Sequence, residues 1–147
     1  MKRNFFFGLL LLFCCTLSAQ KDKKEADAKS IIVDVDADIA FNKTVDYLWN
    51  NDYFLMFLDK QTGFIQAKIL VKKGVNIFTG KADERLTLNF LIKPIAENES
   101  RIMLDINREQ KWTIEHGNDS YSDKGKLDRL SVYENVLNDI KNSLQEK

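Results

Sequence analysis

The stretch FLMFLDKQTGFIQAKILV, Phe54 to Val71, settles the class of fold. Tyr53 to Leu58 is a run of six apolar residues, half of them aromatic. Its length, its aromatics and the polar residues flanking it read as a strand buried on much of both faces. Asp59 to Gly63 is then a hairpin loop in which Gly63 is free to take a positive φ. Ile65, Ala67, Ile69 and Val71 point inward and Gln66 and Lys68 outward, so the chain returns as a strand with one apolar face. Strands joined by so short a turn run antiparallel.

Upstream of this hairpin, Ile31, Val33 and Val35 alternate with Ile32, Asp34 and Asp36, the pattern of a half-wet strand. The period then lengthens. Phe41, Val45 and Leu48 recur at helical spacing with Tyr47 beside them, and Asp36 or Asp38 is placed to cap the first turn. Asn50-Asn51-Asp52 is a turn-prone exit. Downstream, Leu86, Leu88, Phe90 and Ile92 form another alternating strand, with the single proline, Pro94, near its end, where a missing donor costs least. Ala96 to Ser100 reads as a turn and Arg101 to Glu115 as the longest strand. Arg108 and Gln110 share the parity of its apolar residues, which a bulge or an overhang beyond the core would explain. His116 to Lys126 reads as a polar loop. Leu127, Leu130, Tyr133, Leu137, Ile140 and Leu144 then step along one face of an amphipathic helix of about five turns. The order β-α-β-β-β-β-α predicts a two-layer α+β domain: an antiparallel sheet of about five strands covered by two helices.

The amino terminus carries a different signal. Lys2 and Arg3 precede the apolar run Phe5 to Leu17, and Ser18-Ala19-Gln20 supplies small residues and a polar exit. This is the layout of a secretory signal peptide, and the run is short for a membrane span, which needs about 20 residues. The reading divides the chain into a signal at 1–19, a flexible charged leader at 20–30 and one α+β domain at 31–147. Cleavage after Ala19 removes both cysteines, Cys14 and Cys15, so the mature chain has no thiol and relies on its hydrophobic core. Neither cysteine has the small preceding residue that lipid attachment wants, so soluble export to the periplasm or cell envelope is favoured over a lipid anchor. The mature chain keeps 20 basic and 22 acidic residues, interspersed, which gives no electrostatic case for nucleic acid or an anionic membrane.

The hairpin cue Asp59, Lys60, Gly63 and Phe64 to Ile69, set between a helix and two long strands ahead of a C-terminal helix, resembles small exported bacterial envelope modules. The nearest are the domains of the BamC outer-membrane assembly lipoprotein. The resemblance spans about Val33 to Leu144 and implies a helix-grip type α+β fold with a non-enzymatic binding or assembly role. It carries over no catalytic residues. This chain has one such domain where BamC has two.

Candidate chemistry is sparse. Asp34, Asp36 and Asp38 suggest a calcium loop, but Ile39 and Val45 stand where an EF-hand needs Gly and Glu, so a wet strand edge leading into a helix is the better reading. His116 is the only histidine. A hydrolase would have to combine it with Ser120 or Ser122 and Asp119 or Asp123 in a polar loop, without a nucleophile elbow. No metal set, phosphate loop or cofactor is implied. Core positions are expected for Phe54, Phe57 and Trp112. Trp49, at an element end, and Val75, Ile77 and Phe78, in the long Lys72 to Glu84 connection, are the candidate ligand- or partner-binding residues. That connection reads either as a flap or as a short extra strand. The expected function is an exported envelope module that binds or assembles, with a protein partner. The alternatives are a carrier holding an apolar ligand between the sheet and the long helix, or a small hydrolase using the His116 loop.

Export gives a direct expectation. Intact-mass analysis of the secreted product should show a chain beginning near Gln20, whereas a full-length cytoplasmic product contradicts the signal reading.

Overall fold

Residues 28–71, 83–113 and 119–145 are described by the computed structural model. The elements are β1 (Ser30–Val33), α1 (Ala37–Asn50), β2 (Phe54–Asp59), β3 (Phe64–Val71), β4 (Glu84–Ala96), β5 (Glu99–Thr113), β6 (Asp119–Lys126) and α2 (Leu130–Gln145). The α+β class and the two helices match the sequence reading. The sheet is larger than expected, with six strands among the described residues, all paired antiparallel.

The sheet order is β1-β5-β4-β3-β2, and β6 also pairs with β5. Strand β5 is 15 residues long, and β1 and β6 divide one of its edges between them. β1 runs from Ser30 opposite Met103 to Val33 opposite Ser100. β6 runs from Lys126 opposite Asn107 to Asp119 opposite Thr113. The gap is closed by the Leu104 N–H donating to the Lys29 carbonyl (2.9 Å) and the Leu127 N–H donating to the Ile106 carbonyl (2.8 Å). A nearly continuous ladder thus satisfies that edge of the strand.

One face of the sheet is apolar. Ile65 and Ala67 of β3, Leu86, Leu88, Phe90 and Ile92 of β4, and Ile102, Leu104 and Ile106 of β5 are all buried. Both helices pack on this face. α1 contributes Ala40, Phe41 and Leu48, and α2 contributes Tyr133, Val136, Leu137 and Ile140 to the same core. Tyr133 is fully buried, and its hydroxyl is satisfied by the backbone of Ile106: it accepts from the N–H (3.3 Å) and donates to the carbonyl (3.4 Å). A buried phenol needs such a partner, and this one pins α2 to the centre of β5.

Several expectations are corrected. The flexible leader does not reach Ser30: Ala28 is buried, Lys29 is bonded to β5 and Ser30 opens β1. The polar stretch before α2 is no loop from Asp119 onward but strand β6. Its ladder with β5 shifts where Lys124 and Gly125 stand opposite Arg108 alone, and Gly125 takes φ +72 there. The bulge anticipated near Arg108 is therefore in the partner strand. Asp36 occupies the start of α1, yet its side chain makes no cap bond. Its carboxylate accepts the Asn98 N–H instead (3.2 Å), while Asp38 pairs with Lys60 (3.1 Å). Asp36 and Asp38 thus serve separate tasks.

The packing predicts a sharp contrast between neighbours in α2. Leu137 is buried and Asn138 exposed. Leu137→Asp, which buries an unpaired charge, is expected to lower stability by about 3–5 kcal/mol. Asn138→Asp should change it by less than about 0.5 kcal/mol. Paired thermal melts check both.

Candidate binding site

The largest departure from expectation lies in the opening hairpin. β2 is the last strand of the sheet, and among the described residues it pairs only with β3. Its apolar run is therefore not buried on both faces. Phe54 is 69% exposed and Phe57 54%, with Met56 and Leu58 also exposed. The core positions expected for Phe54 and Phe57 are corrected accordingly. Of the run, Tyr53, just before β2, and Leu55, opposite the buried Ala67, pack against the core.

A bulge shapes this edge. Leu55 pairs with Ala67 and Phe57 with Gln66, so Met56 is the extra residue. Past the bulge, Phe57 lies on the sheet face away from the helices and meets the Phe64 ring (centroids 6.1 Å apart). Before it, Phe54 lies opposite Lys68. Phe54, Met56, Ile69 and Leu70 line an open groove of about 400 Å³, together with Lys68, Arg85 and Asp52. On the same outer face, Phe64, Leu91 and Met103 line a neighbouring hollow of about 500 Å³.

The turn between β2 and β3 is rigid. The Asp59 carboxylate accepts the backbone N–H of Gln61 (3.0 Å) and of Thr62 (3.2 Å). Bonds from Thr62, first from its side chain and then from its backbone, hold the Asp59 carboxyl below the usual carboxylate range. Gly63 takes φ +73, as its place in the hairpin anticipates, and passes so close to β4 that a Cβ there would lie 2.1 Å from the Ile92 carbonyl oxygen.

The other end of β2 is fixed by tyrosines. The Tyr53 N–H donates to the Leu48 carbonyl at the end of α1 (3.0 Å), and its ring packs against Tyr47 (centroids 6.2 Å apart). The Tyr47 hydroxyl donates to Asp139 of α2 (3.4 Å). It stands at the wall of a polar cleft of about 600 Å³ between the two helices, shared with Asp46, Asn50 and Asn142. Burial pushes the Tyr47 phenol well above its ordinary range, and the nearby Tyr53 and Asp139 add to the effect. Burial likewise raises Tyr53.

Of the residues proposed from sequence, Trp49 sits in the last turn of α1 and is 71% exposed, near β2 in the chain but outside the groove lining. Val75, Ile77 and Phe78 lie outside the described residues, as does His116. Ser120 and Ser122 fall on β6, opposite Trp112 and Gln110. Between the sheet and α2, the space envisaged for a ligand is occupied by Tyr133, Val136, Leu137 and Ile140. Among the described residues there is no cluster of three metal-ligating side chains, and no helix is long and apolar enough to cross a membrane.

No family model and no curated protein matches this chain. Among solved structures it is similar to a DUF4468 family protein from Bacteroides ovatus, with 12% identity, 82% of this chain and 89% of that chain covered, and a TM-score of 0.38. A likeness at that level carries no argument about function.

The tyrosine anchor predicts alkaline lability. A phenol whose pKa is raised in the fold contributes stability that is intact below its unfolded value, here 10.0. That contribution is lost as pH rises toward and through the higher folded value. Stability should hold steady at neutral pH and fall above 10.0, and Tyr47→Phe should flatten the fall. Melting temperature against pH, read beside tyrosinate absorbance, checks this.

Proposed function

We propose that this chain is an exported, non-enzymatic module of the cell envelope that binds a protein partner by accepting an extended segment of that partner along β2. The observation that carries the reading is the exposure of Phe54, Met56, Phe57 and Leu58 on the terminal strand of the sheet. Leaving such side chains in water forfeits about 1.5–3 kcal/mol each relative to burial. An edge strand also presents backbone donors and acceptors that an added strand satisfies.

The groove argues for the occupant. Tyr53 to Leu58 carries no charge, which suits an apolar segment. The charged residues lining the groove are Lys68, Arg85 and Asp52; Arg85 is paired with Glu109 (3.5 Å), which leaves Lys68 as the cation to meet an acidic group on the segment. The signal-like layout of residues 1–19 supports an encounter outside the cytoplasm. The resemblance of the Asp59 to Ile69 hairpin to envelope assembly modules points the same way.

The test uses isotopically labelled mature chain titrated with strand-forming apolar peptides matched to the six residues of β2. Amide shifts centred on Phe54–Asp59 are expected. Phe54→Ser combined with Phe57→Ser should abolish these shifts while changing stability by no more than about 1 kcal/mol, because both side chains are largely exposed. Shifts centred elsewhere, or none, overturn the reading. Concentration-dependent dimerisation that the double variant removes would assign the edge to a second copy of this chain instead.

A further inference from the structure

Lys68 stands across from Phe54 on one side and Thr87 on the other, on the outer sheet face one strand in from the edge. Several other cations of that face are engaged, while Arg101 is exposed beside the neighbouring hollow. Arg85 pairs with Glu109 (3.5 Å) and lies over the Tyr121 ring (3.6 Å). Lys126 pairs with Asp105 (3.1 Å), and Lys93 donates to the Thr62 carbonyl (2.9 Å). The Lys68 ammonium makes no ion pair or hydrogen bond with any described residue, although it is partly buried and shares its groove with Phe54, Met56 and Leu70 as well as Asp52 and Arg85. A partly buried ammonium is less well hydrated than one in open water, so a counter-charge reaching it interacts more strongly.

Resting on the docking reading above, we propose that Lys68 determines specificity by pairing with a carboxylate on the docked segment. A strand added to β2 lies two strand spacings from β3, roughly 9–10 Å, a distance that the long lysine stem and an acidic side chain span together past Phe54. The recognised chemistry is therefore an apolar extended segment with a single acidic residue facing the outer side of the sheet.

Four peptides, identical except for Glu, Gln, Asp or Lys at one central position, separate the possibilities when titrated into the mature chain at low and high salt. The Glu peptide should bind about three- to fivefold more tightly than the Gln peptide at low salt, the range of a partly exposed ion pair. The advantage should shrink at high salt, and the Asp peptide should share it at low salt. In Lys68→Glu, shown by melting to be folded, the order should reverse in favour of the Lys peptide. Equal affinity for Glu and Gln, with shifts still confined to β2, rejects the role of Lys68 and leaves the docking reading intact. No shift at β2 with any peptide rejects both.

Discussion

The fold depends on β5 being able to serve three strands at once. β4 takes one edge over nearly its full length, and β1 and β6 divide the other. The alternate residues Ile102, Leu104 and Ile106 form the middle of the buried face, and the backbone of Ile106 holds the Tyr133 hydroxyl of α2. A residue near the amino end of the domain, an element near its carboxyl end and the carboxyl-terminal helix are thereby fastened to one strand. Such long-range pairings are costly to form, because each closes a large loop before its contacts exist. Once formed, they leave β5 buried between neighbours.

The opposite side of the sheet is built differently. Among the described residues β2 attaches through a single neighbouring strand and through the end of α1, and the Tyr47–Tyr53 packing secures its entry. The close approach of Gly63 to Ile92 fixes its exit. Both ends are held while the side chains between them remain in water. A strand that is rigid in backbone but uncovered in side chain is pre-organised for an added strand, since little ordering entropy remains to be lost there.

The alternation in β3, β4 and β5 and the stripe of α2 were legible because one face of each is buried and the period alone reveals it. Tyr53 to Leu58 misled for a physical reason. A continuous apolar run reports how much surface favours burial, not whether the sheet order supplies a cover, and β2 falls at the end of that order. β6 was hidden because Asp119 to Lys126 is polar and carries no apolar alternation. It is a strand because β5 extends past β1 with hydrogen-bonding capacity to fill, and Gly125 supplies the positive φ that its bulge requires. Lys68 read only as an outward residue of an alternating strand. That no acidic side chain among the described residues pairs with it depends on which strands flank it, and that is decided by tertiary pairing.

Exposed apolar edges invite uncontrolled association, and β2 carries devices that restrain it. Met56 forms a bulge, which interrupts the regular ladder an incoming strand would follow. Asp52 bounds the run at one end, and Asp59 and Lys60 bound it at the other. An incoming strand therefore meets a short apolar window with charged limits rather than an open edge. On the proposed reading the apolar side chains would supply attraction, the window would limit its length, and the charge in the groove would select among the segments that fit. That combination suits recognition of one kind of segment better than stacking of many identical ones, where a flat, uninterrupted and uncharged edge serves best.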